Sequence, residues 1–321
     1  MKNDSFAKEE NTKLTMKLRE LINELPTFVE TFFRGIEPNT SVKTRIAYAF
    51  DLRTFFYYIT EELEYFYGKK VKQLLVEDLD KITSIDIEKF IEFLSFYSLP
   101  HYKNPEQFIT YTNANSGKGR KLSTVRTFYR YLFKKELITS NPATLVDLPK
   151  TKEKPIIRLE VDEVANLLDL IDSGETLTPS QKKYHDHNKE RDLALIALLL
   201  GTGIRVSECV GLDIDHFNFE NNSFRITRKG GNETILYFSD EVMHILTNFL
   251  TIRETITPYP GHENAFFLSL QRKRLGVSAI QKLVKKYAAI ITPLKNISPH
   301  KLRSTYGTAE EQEIFTYLPM Y

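Results

Sequence analysis

The side chains best suited to chemistry in this sequence stand in three separated clusters. Arg205 follows two glycines in Gly201-Thr202-Gly203-Ile204-Arg205-Val206-Ser207-Glu208, where a helix is expected to begin. Lys229 lies in Arg228-Lys229-Gly230-Gly231-Asn232, between two stretches of strand character. His300 and Arg303 are three apart in Ser298-Pro299-His300-Lys301-Leu302-Arg303-Ser304-Thr305. Guanidinium groups keep their charge and grip phosphate or carboxylate oxygens in pairs, and an imidazole can move a proton near neutral pH. Each residue also has an ordinary reading: Arg205 as a surface arginine, Lys229 as a solvated turn lysine, and His300 with Arg303 as a chance helical pair. Other chemistries are excluded more firmly. The histidines show no metal-ligand spacing, no Gly-x-x-x-x-Gly-Lys phosphate loop occurs, and no paired acidic cluster suggests a two-metal nuclease, so neither metal nor cofactor is implied.

The elements that must hold these residues can be read from periodicity. The first 140 residues read almost wholly as helices: Lys13 to Leu25, Thr27 to Ile36, Ser41 to Tyr67, Ser84 to Tyr97 and Ser123 to Leu137, with no strand pattern. In the long third segment Ile46, Phe50, Phe56 or Tyr57, and Leu63 recur at helical spacing, and Gly68 serves as a stop. Asn104 to Gly119 is polar and glycine-containing, and reads as a loop. Ser123 then caps a helix with Val125, Tyr129, Leu132 and Phe133 inward and Arg126, Arg130 and Lys134 on its other face. The proline-flanked stretch Leu148 to Pro155 lacks periodicity and reads as a linker. Beyond it come an amphipathic helix from Glu160 to Ile171, a polar loop from Gly174 to Asn188 and a strongly apolar helix from Arg191 to Leu200. A hairpin pairs Ser223 to Arg228 with Glu233 to Phe238, and further helices run from Ser239 to Glu254 and from Ser278 to Ile290.

With 321 residues, 41% of them hydrophobic, the chain has apolar material for two ordinary cores. No run of 18 apolar residues occurs, and the N-terminus lacks the basic start and apolar stretch of a signal peptide. A soluble, cytoplasmic protein with no membrane partner is expected. Cys209 is the sole cysteine and sits in an apolar helical pattern, so it reads as core. The net charge of +2 favours no partner by itself, but the charge is unevenly placed. From Asn115 to Lys135 there are seven basic residues, Lys118, Arg120, Lys121, Arg126, Arg130, Lys134 and Lys135, and no acid. The row Arg126, Arg130, Lys134 could track DNA phosphates or simply be a solvated helix face.

Taken together, and in this order, the three clusters resemble the successive active-site boxes of the tyrosine site-specific recombinases of the Xer and phage-integrase kind: Thr202-Gly203-Ile204-Arg205-Val206-Ser207-Glu208, the lysine of Arg228-Lys229-Gly230-Gly231, and His300-Lys301-Leu302-Arg303-Ser304-Thr305. The resemblance spans most of the chain. It implies a mainly α fold with a helical, SAM-like core-binding domain over 1–148, a linker over 149–155, and a mixed α/β catalytic domain with a small β-hairpin sheet over 156–321. It implies that Arg205 and Arg303 clamp a phosphate under attack, that Lys229 protonates the leaving 5′ oxygen from the hairpin, and that His300 assists proton transfer at the nucleophile. Lys118, Arg120, Lys121, Arg126, Arg130 and Lys134 become candidate contacts to double-stranded DNA. The implied assembly is a homotetramer on two duplexes that breaks and rejoins DNA through a 3′-phosphotyrosyl link, without a cofactor, in chromosome-dimer resolution or integration of mobile elements. Glu208 either orients neighbouring groups or is an ordinary helix residue, and is left out of the site.

The C-terminal segment departs from that family. After Arg303 relatives continue with a long helical stretch, a Leu-Gly-His or Leu-Gly-Trp box and the nucleophilic tyrosine, whereas 18 residues follow here, Ser304 to Tyr321, without such a box. Tyr306 is expected to pack behind the His300 to Arg303 turn, and Tyr317 and Tyr321 come too early to match. Read back into codons, Gln312 to Leu318 can encode, one base out of frame, Thr-Gly-Asp-Ile-Tyr-Leu, which looks like what such recombinases carry after the arginine box. The expectation is a catalytic domain incomplete at its C-terminal end, lacking the nucleophile. Such a chain would bind DNA without cutting it, or compete with an intact recombinase partner.

Overall fold

Two stretches of chain each gather their own apolar side chains, and they divide the molecule into units Met1–Glu153 and Lys154–Tyr321. The computed structural model describes residues 5–152, 155–228 and 231–307. Among the described residues the fold is mainly α with two small sheets. Among the described residues no helix is long and apolar enough to cross a membrane.

In the first unit α1 (Ser5–Ile22), α2 (Val29–Ile36), α3 (Val42–Glu62), α4 (Ser84–Phe93) and α5 (Asn115–Lys134) surround an aromatic-rich core. Helix α3 begins where Ser41, in extended conformation, accepts the Thr44 amide at 3.2 Å, which satisfies one of the free donors of the first turn. It then buries Ile46, Ala49, Leu52, Phe55, Phe56 and Ile59. Phe55 meets Phe90 of α4 at 5.1 Å, and Phe32 of α2 meets Phe128 of α5 edge-on at 5.2 Å. Rings at such spacing add to the burial that holds the helices together.

This unit is not purely helical. An antiparallel hairpin, β1 (Phe96–His101) and β2 (Asn104–Thr112), lies between α4 and α5. Tyr97 and Leu99 turn inward while Phe96 is exposed, a two-residue alternation that ends α4 earlier than helical spacing alone suggested. The expected loop from Asn104 to Gly119 is thus corrected to a strand followed by a helix. Because α5 already starts at Asn115, Ser123 is no cap; it is inside the helix, its hydroxyl donating to the Gly119 carbonyl at 2.8 Å. Val125, Tyr129 and Leu132 are buried as expected, but Phe133 is 49% exposed.

In the second unit the helices are α6 (Val161–Ser173), α7 (Pro179–His185), α8 (Lys189–Thr202), α9 (Val206–Val210), α10 (Asp240–Thr255), α11 (Val277–Ile291) and α12 (Pro299–Tyr306). A three-stranded antiparallel sheet runs in the order β3 (Phe217–Asn218), β4 (Ser223–Thr227), β5 (Glu233–Tyr237), the last two forming the expected hairpin. Helix α8 is the centre of the core, with Ala194 through Leu200 all essentially solvent-free. The segment read as a polar loop contains α7. Pro179 opens that helix, and Gln181 returns its side chain to the Thr178 amide at 3.0 Å, a local start signal that polarity obscured. Cys209 is core, 1% exposed, and burial pushes its thiol up to about 12, so it is unreactive at neutral pH.

Candidate active site

Helix α8 stops at Gly203, which adopts a left-handed conformation (φ 57°, ψ 24°) and returns its amide to the Leu199 carbonyl at 3.1 Å. A side chain is excluded there on two counts, since a Cβ would also stand 2.4 Å from the Tyr306 ring. The close approach lets α12 lie against the end of α8. Ile204 is buried, and Arg205 then serves as the N-cap of α9 in extended conformation. Glu208, at the third position of α9, takes the Arg205 amide at 2.8 Å and the Arg205 guanidinium at 2.9 Å. The carboxylate is 6% exposed and the Arg205 side chain 56%, so a buried anchor aims a solvent-facing cation. Glu208 is therefore no ordinary helix residue: it positions Arg205, a role that the Arg-x-x-Glu spacing of a helix start signals.

Arg303, half-buried on α12, donates from its guanidinium to the Gly203 carbonyl, two residues before Arg205. This bond ties the third motif to the first across 100 residues of sequence. Leu302, fully buried, and Thr305, whose hydroxyl accepts the Leu159 amide at 3.0 Å, fasten α12 from behind. His300 is exposed one helical turn before Arg303, on the same side of α12. Arg205 and Arg303 thus belong to segments that meet at Gly203, and His300 precedes Arg303 by three residues on α12. Lys229 lies outside the described residues. The hairpin that carries it is described up to its edges, where the Arg228 amide donates to the Asn232 carbonyl at 2.8 Å and Gly231 takes φ 85°. Tyr317 and Tyr321 also lie outside the described residues, while the Tyr306 ring packs on Gly203.

The basic residues of α5 do not form one solvent-facing surface. Asp51 on α3, 1% exposed, receives the paired guanidinium nitrogens of Arg120, one at 2.7 Å, and the Thr124 hydroxyl at 2.8 Å. Lys121 lies 3.5 Å from the same carboxylate and is itself buried, which holds its ammonium below the usual lysine range. Arg126 donates to the carbonyls of Ala143, at 3.1 Å, and Val146, so it braces the segment after α5 and leaves the row with Arg130 and Lys134 incomplete. Lys118 reaches the Ser95 hydroxyl at 2.6 Å, while Arg130 and Lys134 are exposed. Elsewhere, Asp213, Asp215 and His216 bring ligand-type atoms within 4.8 Å of one another, but Asp213 is paired with Arg274 and its amide donates to His216 Nδ1 at 3.2 Å.

Residues 158–311 match the phage integrase family. The chain is 30% identical over 299 residues to tyrosine recombinase XerC of Caldanaerobacter subterraneus, covering 91% of this chain and 75% of that one. It is 29% identical over 316 residues to tyrosine recombinase XerS of Streptococcus mutans, covering 92% and 87%. In fold it is similar to a lambda integrase dimer bound to a COC′ core site, with a TM-score of 0.59 at 15% identity over 90% of this chain and 87% of that one. It is likewise similar to the Tn1549 transposon integrase in complex with circular intermediate DNA, with a TM-score of 0.57 at 16% identity over 92% and 96%. Motif order, the junction of α8 with α12 and this extended similarity converge on one conclusion: the chain belongs to the phage integrase family of tyrosine recombinases.

Proposed function

We propose that this chain binds duplex DNA and holds a phosphodiester between Arg205 and Arg303, with His300 beside it and Lys229 presented from the hairpin tip. The observation that supports the reading is the bond from Arg303 to the Gly203 carbonyl, which joins α12 to the segment leading into Arg205. In this arrangement the arginines meet the charge that develops on the non-bridging oxygens, Lys229 supplies the proton to the leaving 5′ oxygen, and His300 moves a proton at the attacking group. Arg130 and Lys134, exposed on α5, with Lys118, are the groups of α5 assigned to DNA phosphates, whereas Arg120, Lys121 and Arg126 serve the fold. That the lambda and Tn1549 integrases were captured on DNA supports the choice of ligand. The assembly proposed is a tetramer of this chain, or of this chain with an intact recombinase, acting in the cytoplasm on chromosomal or mobile-element sites.

In that assembly the chain acts as a binder that does not itself form the phosphotyrosyl link. Tyr306, on the Arg303 helix, lays its ring against Gly203. The decisive experiment incubates the purified chain with nicked suicide duplexes carrying candidate recombination sites. Salt-dependent binding without a covalent adduct is expected, and an adduct mapped to any tyrosine would overturn the non-cutting assignment while leaving the clamp in place. Loss of charge at both Arg205 and Arg303 with no change in duplex affinity would overturn the clamp.

A further inference from the structure

The hairpin of the first unit has one protected edge and one open edge. On β1 the Arg53 guanidinium donates to the Pro100 carbonyl at 2.7 Å, and Pro100 itself has no amide to offer, so that side cannot accept another strand. On β2 no backbone group of Asn104 through Thr112 makes a described hydrogen bond beyond its ladder with β1, and every residue except the half-buried Ile109 is exposed. Soluble proteins usually blunt such an edge with lysine, proline or a covering loop. Here the run Gln107-Phe108-Ile109-Thr110-Tyr111-Thr112-Asn113 carries neither charge nor proline and is rich in strand-forming residues. The outward sheet face is equally uncharged: Phe96 is 69% exposed opposite Thr112, and Phe108 is 58% exposed opposite Pro100. Ser98 and Thr110 meet between them through their hydroxyls at 2.9 Å.

We propose that the open edge of β2 pairs antiparallel with β2 of a second copy of this chain, joining two hairpins into one four-stranded sheet with Thr110 on the two-fold axis. The occupant follows from the pattern. An isologous contact must be self-complementary, and Thr110 is the midpoint of the uncharged run, so antiparallel pairing about it sets Phe108 against Thr112 and Ile109 against Tyr111. The two Glu106 carboxylates then stand roughly 27 Å apart along the strands, eight residues at about 3.4 Å each, and do not oppose one another. Shifting the register toward Glu106 would bring these like charges together. A strand pair of this length buries only on the order of a few hundred Å², below the roughly 1,000 Å² of a lasting stand-alone interface, so the pairing is weak between free copies and is favoured where copies are held side by side. It goes beyond the proposed phosphate clamp and is tested separately from it.

The test uses the full chain with Thr110→Cys, compared with Glu106→Cys and the parent, treated with a short bismaleimide with and without a long duplex. Cys209 is 1% exposed and stays silent. The expected result is a covalent dimer from Thr110→Cys, increased several-fold by duplex, with none from the parent or from Glu106→Cys, whose thiols are out of reach in this register. Equal linking at both positions, or none from Thr110→Cys on a duplex that demonstrably holds the protein, overturns the pairing. Linking of Thr110→Cys by a chain that fails to bind duplex would uphold the pairing and count against the DNA reading instead.

Discussion

Two arginines of the same chain, both candidates for DNA contact by sequence, turn out to do different work. Arg126 is tied to the carbonyls of Ala143 and Val146, whereas Arg130 is exposed. Arg126→Ala is therefore expected to cost about 1–3 kcal/mol of stability, the range for losing charge-assisted bonds to partly buried acceptors, with little change in the salt dependence of duplex binding. The double change Arg130→Ala with Lys134→Ala should leave stability within about 0.5 kcal/mol and flatten the slope of log affinity against log salt by roughly one for each phosphate no longer neutralised. Urea titrations beside binding curves at several salt concentrations separate the two; a flattened slope for Arg126→Ala alone would reverse the assignment. Glu208 makes a similar point at the clamp. Glu208→Ala leaves the Arg205 amide without its cap and the guanidinium without its anchor, and about 1–2 kcal/mol of stability should be lost, with partial recovery in Glu208→Gln. Equal stability of Glu208→Ala and the parent chain would show that Glu208 is not the anchor.

At the scale of elements, a buried carboxylate adds to the ring contacts that hold α5 against α3. Asp51 is surrounded by Arg120, Lys121 and Thr124, and Asp51→Ala would leave the Lys121 ammonium buried without its partner, at a cost of about 3–5 kcal/mol. A melting temperature unchanged by Asp51→Ala would contradict this. Sequence alone made the opposite suggestion, because seven cations without an acid between Asn115 and Lys135 look like a free surface when the neutralising aspartate is 69 residues upstream. The same limit hid the β1–β2 hairpin. Its alternation is two residues long against the 3.6 of the flanking helices, and Asn104 to Gly119 was dominated by its polar and glycine residues. The clamp was more legible, because Gly203, Arg205 and Glu208 form a local helix-stop and helix-start signal within six residues. What spacing could not reveal was that Arg303 would reach back to the Gly203 carbonyl, since that bond depends on α12 packing against α8. The positive φ of Gly203 and the Tyr306 ring beside it are the condition for that packing.

At the scale of the whole molecule, the two units bury different titratable groups and should respond to acid over different ranges: His185 stands out in the second, Asp78 and Asp86 in the first. In the second unit His185 is 3% exposed, and burial, with the nearby Lys286 cation, lowers its pKa from the usual 6.5, against the pull of Asp186 and Asp192. Its protonation state follows from its partners. Asp192 can only accept, so the Tyr287 hydroxyl donates to it at 3.0 Å, and His185 Nδ1 must donate to the Tyr287 oxygen at 3.2 Å. The neutral Nε2 then lies buried without a partner against Gly174, where the His185 ring leaves no room for a side chain, and a second proton there would be an unpaired buried donor. The folded state therefore binds fewer protons than the unfolded one, so this contribution is fully present above pH 6.5 and is lost as the pH falls through the lower folded value. In the first unit burial pushes the Asp78 carboxyl up, but the Leu75 amide, Lys69 at 2.5 Å and Lys81 at 2.9 Å outweigh it and bring it down to about 2. That stabilisation is present above about pH 4 and disappears only as the pH drops through about 2. Calorimetry at about pH 7.5 and about pH 5.5 should accordingly show the transition of the second unit moving to lower temperature while that of the first moves less. His185→Gln should remove most of the shift, and a shift of the same size in that variant would place the acid sensitivity of the second unit elsewhere than in the His185, Tyr287 and Asp192 chain.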